Sequence, residues 1–245
     1  MIGKVFLVGA GPGDPKLLTV RAHELVSTCD VLAHDELVPH TILALAPRRA
    51  ERIRVGRRAR GVRHHDARIH PLVIERARSG HDVVRLKGGD PMIFGRGGEE
   101  VDELRAAGVP FEVVPGITAA LGAAASLSFP LTHRDVASAV TLRTAHRADP
   151  AKDSGETLVF YMGLSSLPSI AASLIAEGHA ASTPALVVSN ATRPSQRHVL
   201  ATLSTIAARA RAARLETPAI LFVGAVVASA FVPAAARTLR LLRTA

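Results

Sequence analysis

From Lys4 to Val114, short runs rich in β-branched residues alternate with longer stretches compatible with helix, and this alternation constrains the fold most. The apolar runs are Lys4–Val8, Asp30–Ala33, Arg52–Val55, Asp82–Leu86 and Phe111–Val114. Between them lie the helical stretches Lys16–Ser27, Pro39–Leu45, Asp66–Arg78 and Glu99–Ala107. Such β-α-β-α order predicts a mostly parallel sheet with helices on both faces. Asp66 is expected to cap the third helix and Gly80 to end it. Pro71, suited to a first turn, warns that the regular helix begins only there.

After Val114 the pattern changes. Pro115-Gly116 is a turn, followed by the small-residue stretch Ala119–Ser126 and Pro130. Strands are expected at Ala139–Thr144, Thr157–Tyr161, Ala185–Ser189, His198–Leu200 and Ala219–Val223. Helices are expected at Ser166–Glu177 and Thr202–Arg214, with a polar loop over Arg147–Gly155. Adjacent strands without an intervening helix predict a mixed sheet. The expectation is therefore two α/β lobes, 1–116 and 117–245, joined near Pro115–Ile117. The uncharged run Ala219–Ala236 contains Gly224, Ser229 and Pro233, and reads as a buried strand and a short helix, not a membrane span. The apolar run from Val5 to Ala10 is too short for the core of a secretory signal.

Charge is concentrated. The net charge is +9, yet nine arginines between Arg48 and Arg68 stand against only Glu51 and Asp66, so one segment carries +7. Such a segment suits phosphates, an anionic membrane or a polyanionic small molecule. Aromatic residues are 3% of the chain and Trp is absent, which disfavours a base-stacking platform for single-stranded nucleic acid. The lone Cys29 excludes an internal disulfide and a thiolate-based zinc site, and fits a reducing cytoplasm.

Three glycine-rich turns each follow a predicted strand. Gly9-Ala10-Gly11-Pro12-Gly13-Asp14 stands where α/β proteins present backbone to a ligand. Asp14 in the sixth position departs from the dinucleotide fingerprint, and Pro12 lacks an N–H for phosphate. The bland alternative is a tight turn that needs glycine. Leu86-Lys87-Gly88-Gly89-Asp90-Pro91 runs into Phe94-Gly95-Arg96-Gly97-Gly98-Glu99-Glu100 without a P-loop ending. Asp90 there suits an amine or a ribose hydroxyl. Pro115-Gly116-Ile117-Thr118-Ala119-Ala120 puts a hydroxyl and small side chains at a helix start, where Thr118 also reads as a plain N-cap. Asp35, after the second strand, is either a base or a loop cap. His64-His65-Asp66 lacks a partner cluster, so no metal is expected. Leu131-Thr132-His133-Arg134-Asp135 is a solvated loop or an anion contact through Arg134. No nucleophile elbow appears, which leaves acyl transfer without support.

Taken in order, GAGPGDP-x-LLT-x-x-A, RLKGGDP-x-IFGRGGEE, VPGITAA, PLTHRD and YMG resemble the uroporphyrinogen-III C-methyltransferases of the tetrapyrrole methylase superfamily, from Val5 to about Val223. The resemblance implies a two-lobed α/β fold with a mostly parallel N-terminal sheet, a mixed C-terminal sheet and the active site between the lobes. It further implies a homodimer that takes methyl groups from S-adenosyl-L-methionine and releases S-adenosyl-L-homocysteine. Two successive transfers to uroporphyrinogen III give precorrin-2, for siroheme or cobalamin. By motif position, Pro12, Gly88, Gly89, Asp90, Ile93, Thr118, Ala119 and Met162 match the family's donor contacts, as does Ala191 with an alanine in place of the family's glycine. Asp35 falls on the family's proton acceptor and Arg57 on its proton-donating lysine. Arg58, Arg96 and Arg134 are the expected partners of the substrate's eight carboxylates, since arginine pairs bidentately with carboxylate.

Several positions depart from the family pattern. An arginine at 57 hardly releases a proton near neutral pH, which turns that role electrostatic. The family's Tyr-Asp-Arg reads His34-Asp35-Glu36, and its Gln and Asn on the next helix read Asp66 and His70. Donor motifs are mostly intact while substrate-side positions differ, so a methyltransferase acting on a later precorrin stays open. An RNA 2′-O-methylating relative is a third reading. No nucleic-acid or membrane partner is expected, and at 245 residues the chain is expected to carry the methylase alone.

Overall fold

The computed structural model describes residues 1–55, 69–144 and 156–231. The chain divides into two compact units, Met1–Ala119 and Ala120–Ala245, set against an expected boundary after Gly116.

The first unit is built on β1 (Val5–Gly9), β2 (Val31–His34), β3 (Glu51–Arg54), β4 (Val83–Lys87) and β5 (Phe111–Val114). Their order is β3-β2-β4-β1-β5 and every pairing is parallel. All five residues of β1 are buried, as a central strand covered on both faces requires. β3 closes one edge with Glu51, Arg52 and Arg54 exposed, charges that discourage pairing with another chain. On one face α1 (Val20–Thr28) and the single turn α2 (His40–Leu43) bury Ala22, Val26 and Ile42 against Phe6, Val8, Leu32 and Leu86. On the other, α3 (Pro71–Arg78) and α4 (Gly97–Ala106) bury Val73, Ala77, Val101 and Leu104 against Val5, Leu7, Ala33 and Val83. Adjacent strands β1 and β4 thus send their chains to opposite faces, which opens a crevice at their C-terminal ends.

The expected helix over 16–27 is two pieces. A 3-10 turn spans Pro15–Leu17, Leu18 is extended, and α1 starts only after Thr19, whose hydroxyl accepts from Ala22 N–H at 3.1 Å. The third helix begins at Pro71, and His70 takes the cap through Leu72 N–H at 3.3 Å; Asp66 lies outside the described residues.

The second unit has β6 (Ala139–Thr144), β7 (Glu156–Tyr161), β8 (Pro184–Ser189), β9 (Arg197–Thr202) and β10 (Ala219–Val223), ordered β6-β7-β10-β8-β9. β6 and β7 are parallel and the other pairings antiparallel, a mixed sheet. α5 (Ala119–Ser126) precedes it, and α6 (Leu167–Ala176) and α7 (Ile206–Ala212) cover one face over Leu158, Phe160, Val187 and Leu221. On the other face Phe129 packs edge-on against Phe222, centroids 5.1 Å apart. The expected helix 202–214 starts four residues late because β9 continues to Thr202, paired with Pro184. Past β10 the chain forms a 3-10 helix, Ala225–Phe231. No helix among the described residues is long and apolar enough to cross a membrane.

Candidate functional site

The three glycine-rich turns meet at the C-terminal end of the parallel sheet. Gly11 and Gly89, each with φ +68°, donate N–H groups to one another's carbonyls at 3.2 and 2.9 Å. Ala10 N–H binds Lys87 O at 2.7 Å, so the turn after β1 is stitched to the turn after β4. A Cβ added at Gly116 would lie 2.3 Å from Gly89 O and 2.8 Å from Gly9 Cα. One added at Gly9 would lie 2.5 Å from Gly116 N. Glycine at 9 and 116 is therefore a packing requirement: the backbones touch.

Asp90 locks this clasp. Its Oδ2 accepts from Gly116 N–H at 3.0 Å and its Oδ1 from Met92 N–H at 2.7 Å. Beyond it, Met92, Ile93 and Phe94 are exposed, and Phe94 and Arg96 hold left-handed backbone, uncommon for residues other than glycine and concentrated at ligand sites. Arg96 starts α4 and its Nε stands 4.0 Å from a Glu99 carboxylate oxygen. Gly88 is exposed, with Leu37 Cβ the nearest atom to an added Cβ at 3.9 Å. Pro12 is buried within its turn, and Thr118 is buried one residue before α5, next to Ala119. A Cβ at Gly89 would touch Ala119 N and Thr118 Cα at 3.9 Å. Six expected donor contacts, Pro12, Gly88, Gly89, Asp90, Thr118 and Ala119, are thus carried by one clasp, with Ile93 on its outer loop.

Asp35 follows β2, beside β4, and its N–H binds Leu86 O at 3.1 Å. Its Oδ1 accepts from Arg85 Nη2 at 2.6 Å. Arg85 and Lys87 occupy alternate positions on β4 and share a face of the sheet. Glu100 comes from α4, on the stripe it shares with Gly97, Val101 and Leu104. Its Oε1 accepts from Arg85 Nη2 at 2.9 Å, Arg85 Nε at 3.3 Å and Lys87 Nζ at 2.8 Å. Burial opposes the Arg85 charge, but Asp35 and Glu100 outweigh it and hold the guanidinium above its ordinary value. Burial, with Arg85 alongside, pushes the Lys87 ammonium below its ordinary value against the pull of Asp35 and Glu100. Sequence reasoning missed Arg85, Lys87 and Glu100 as site residues. Two cations alternating on an otherwise apolar strand were the available signal.

The remaining candidates stand elsewhere. Met162 directly follows β7 and Asn190-Ala191-Thr192 follows β8. Both strands run antiparallel to β10, with Tyr161 opposite Ile220 and Ser189 opposite Ala219, so the two turns share one edge of the second sheet. Met162, Asn190 and Thr192 all have φ between 50° and 64°. Met162 is exposed and Ala191 buried. Thr192 N–H binds Gln196 Oε1 at 2.6 Å, and the same oxygen accepts from Ser126 Oγ at 2.9 Å. Arg134 is exposed in the short loop closed by the His133–Ala137 bridge. Of the arginine-rich segment, Arg48, Arg49, Arg52 and Arg54 are exposed; Arg49 pairs with Asp30 and Arg54 with Glu36. Arg57, Arg58 and His64-His65-Asp66 lie outside the described residues. Among the described residues no group of three His, Cys, Asp or Glu side chains is placed to hold a metal.

The chain matches the Tetrapyrrole (Corrin/Porphyrin) Methylases over residues 4–207. It is 48% identical over 234 residues to a siroheme synthase of Azotobacter vinelandii, covering 92% of this chain and 50% of that protein. The chain thus spans about half the length of the curated relatives it matches. Among solved structures it is similar to uroporphyrin-III C-methyltransferase from Thermus thermophilus, at 39% identity and TM-score 0.78, covering 93% of this chain and 95% of that one. That protein has also been solved in complex with S-adenyl homocysteine. A cobalt precorrin-4 methyltransferase is 27% identical with TM-score 0.78, covering 91% of this chain and 95% of the other. The glycine clasp and the turns of the second sheet lie within the matched residues, and the chain belongs to the tetrapyrrole (corrin/porphyrin) methylases.

Proposed function

We propose that this chain is an S-adenosyl-L-methionine-dependent C-methyltransferase that converts uroporphyrinogen III to precorrin-2 by two successive methyl transfers. The observation that carries the choice of substrate is the 39% identity to the Thermus enzyme across 95% of its length. The clasp suits the donor chemically. Its Gly11 and Gly89 N–H groups are spent on each other's carbonyl oxygens and Pro12 has none, so this is not an anion cradle for a nucleotide's phosphates. S-adenosyl-L-methionine carries no phosphate and offers a flat adenosine, an amine and a sulfonium. Gly88, Gly89, Thr118 and Ala119 present small groups and backbone to it, Asp90 keeps its carboxylate within the clasp, and Ile93 supplies an apolar contact. Met162 and Ala191, matched by motif position, are the remaining proposed donor contacts.

The donor supplies a methyl group already activated by its positive sulfur. What the protein must do is hold an electron-rich pyrrole carbon in line with that methyl and exclude water, which is catalysis by proximity and orientation. As the carbon attacks, positive charge passes to the macrocycle, and the Asp35 carboxylate stabilises it and takes the proton that the cationic macrocycle then releases; the methylated carbon, already bearing a side chain, has none to lose. Arg57 acts electrostatically, and Arg58, Arg96 and Arg134 pair with substrate carboxylates. The proposal extends to a homodimer in the cytoplasm, whose reducing conditions suit the lone, buried Cys29.

Anaerobically generated uroporphyrinogen III, incubated with the protein and S-adenosyl-L-methionine, is expected to gain two methyl units by mass spectrometry. No gain would reject the reading. A second reading, methylation of a later precorrin, is favoured by one observation: the cobalt precorrin-4 methyltransferase superposes with the same TM-score, 0.78. Product formation from precorrin-2 or later intermediates, with none from uroporphyrinogen III, would select it.

A further inference from the structure

The proposed reaction uses Asp35 but gives no role to the charges behind it. Arg85 and Lys87 are buried on one face of β4, and their neighbours on that face, Val83, Leu7 and Ala33, are apolar. Placing two like charges there is costly, and apolar side chains of similar volume would often serve stability as well or better. Glu100 compensates both through a single oxygen, Oε1, while its Oε2 is buried without a hydrogen-bond partner among the described residues. An unsatisfied carboxylate oxygen is a further cost, so stability alone does not account for the arrangement.

What the group delivers lies at its outer end. The Arg85 side chain is 6% exposed and that of Asp35 28% exposed. Arg85 Nη2 reaches Asp35 Oδ1 at 2.6 Å, while the same guanidinium is held from behind by Glu100 at 2.9 Å. Among the described residues, the nearby charged groups are otherwise engaged. Glu36 pairs with Arg54, Lys87 with Glu100, and the His34 ring stands 3.1 Å from the Asp35 carbonyl instead of its carboxylate.

We propose that Arg85 is a positioning residue: braced by Glu100, it fixes the Asp35 carboxylate by one oxygen and leaves the other, Oδ2, set toward the substrate. The inference rests on the role given to Asp35 above. It explains why a buried arginine stands where a valine would pack. Fixing matters because displacement of a reacting group by about 1 Å costs on the order of 100-fold in rate.

The test is a double-mutant cycle on the full chain, reading kcat and KM for uroporphyrinogen III in the parent, Arg85→Gln, Asp35→Asn and the double variant. S-adenosyl-L-homocysteine affinity, measured by calorimetry, reports folding and the donor site. Arg85→Gln is expected to lower kcat about 10- to 100-fold, with KM and homocysteine-product affinity little changed. Arg85→Lys should recover part of that loss. In the Asp35→Asn background, Arg85→Gln should cost less than about twofold more, because the group it orients is gone. An equal loss in both backgrounds, or a change in KM alone, overturns the proposal. Should Arg85→Gln fail to bind the product, the same cycle is read with Arg85→Lys, and additivity there overturns it equally. Parental turnover by Asp35→Asn would overturn the Asp35 assignment and the inference with it. An inactive parent would instead reject the methyltransferase reading on which both stand.

Discussion

The two sheets end in turns of opposite character. At the C-terminal edge of the parallel sheet, the two turns that clasp one another take left-handed backbone at glycines, Gly11 and Gly89, with Phe94 and Arg96 left-handed only on the outer loop. Neighbouring backbones approach so closely at Gly9 and Gly116 that a Cβ has no room. At the edge of the mixed sheet the same left-handed backbone is held by Met162, Asn190 and Thr192, which carry full side chains. The first edge needs backbone against backbone. The second keeps side chains where glycine would be easier, and a strained position that retains its side chain points to a use for that side chain.

The largest expected effect falls on activity. Asp35→Asn keeps size and shape but removes the charge proposed to act on the macrocycle, and should lower kcat by about 100- to 1000-fold, with S-adenosyl-L-homocysteine affinity unchanged by calorimetry. Turnover within a few-fold of the parent would break the role proposed for the first edge.

Next is Glu100→Ala, which leaves Arg85 and Lys87 as two buried cations with Asp35 the remaining anion beside them among the described residues. Removing one partner from a buried charge group costs about 3–5 kcal/mol, and a urea unfolding midpoint should fall accordingly. An unchanged midpoint would mean that the buried charges are not mutually dependent.

The comparison itself is sharpened by a matched pair. Gly116→Ala drives a Cβ to within 2.3 Å of Gly89 O. Overpacking of this kind costs about 1–3 kcal/mol, and donor affinity should weaken as the clasp opens. Met162→Gly should go the other way in stability, relieving about 1 kcal/mol of left-handed strain while weakening donor binding. If Met162→Gly binds the product as well as the parent does, the second edge is strained for some other reason.

The smallest effect is remote from the site. Glu112 accepts hydrogen bonds from Lys4 and Arg21, which hold its carboxyl below the ordinary 4.5. The folded value is lowered, so the stability it adds is present above the unfolded value near 4.5 and lost as pH falls through the folded one. At a half-exposed site screened by solvent this is worth about 0.2–1 kcal/mol. Glu112→Gln should remove the corresponding part of the acid sensitivity of unfolding.

What could be read in the chain alone follows the same division. The parallel sheet was legible because β1 and β4 are short, buried and followed by glycines that mark the turns at their C-terminal ends. The proline at 71 marked the start of α3, and His70 is the residue placed to cap it; Asp66 lies outside the described residues. Arg85, Lys87 and Glu100 were illegible as a group because their compensation is tertiary. Charges on an apolar strand look like a pattern error until α4 lays Glu100 across them. In the turns at Met162 and at 190–192 the left-handed positions fall on residues other than glycine, so their backbone strain leaves little mark in residue type. Motif likeness alone pointed to Met162 and Ala191.

Transfer of methyl groups from isotopically labelled S-adenosyl-L-methionine to uroporphyrinogen III, followed under anaerobic conditions in parent and Asp35→Asn proteins, tests the central claim most directly. The account predicts two labelled methyl groups per macrocycle with the parent and almost none with the variant, although both bind S-adenosyl-L-homocysteine. A parent protein that binds the product yet leaves the macrocycle unlabelled would contradict it.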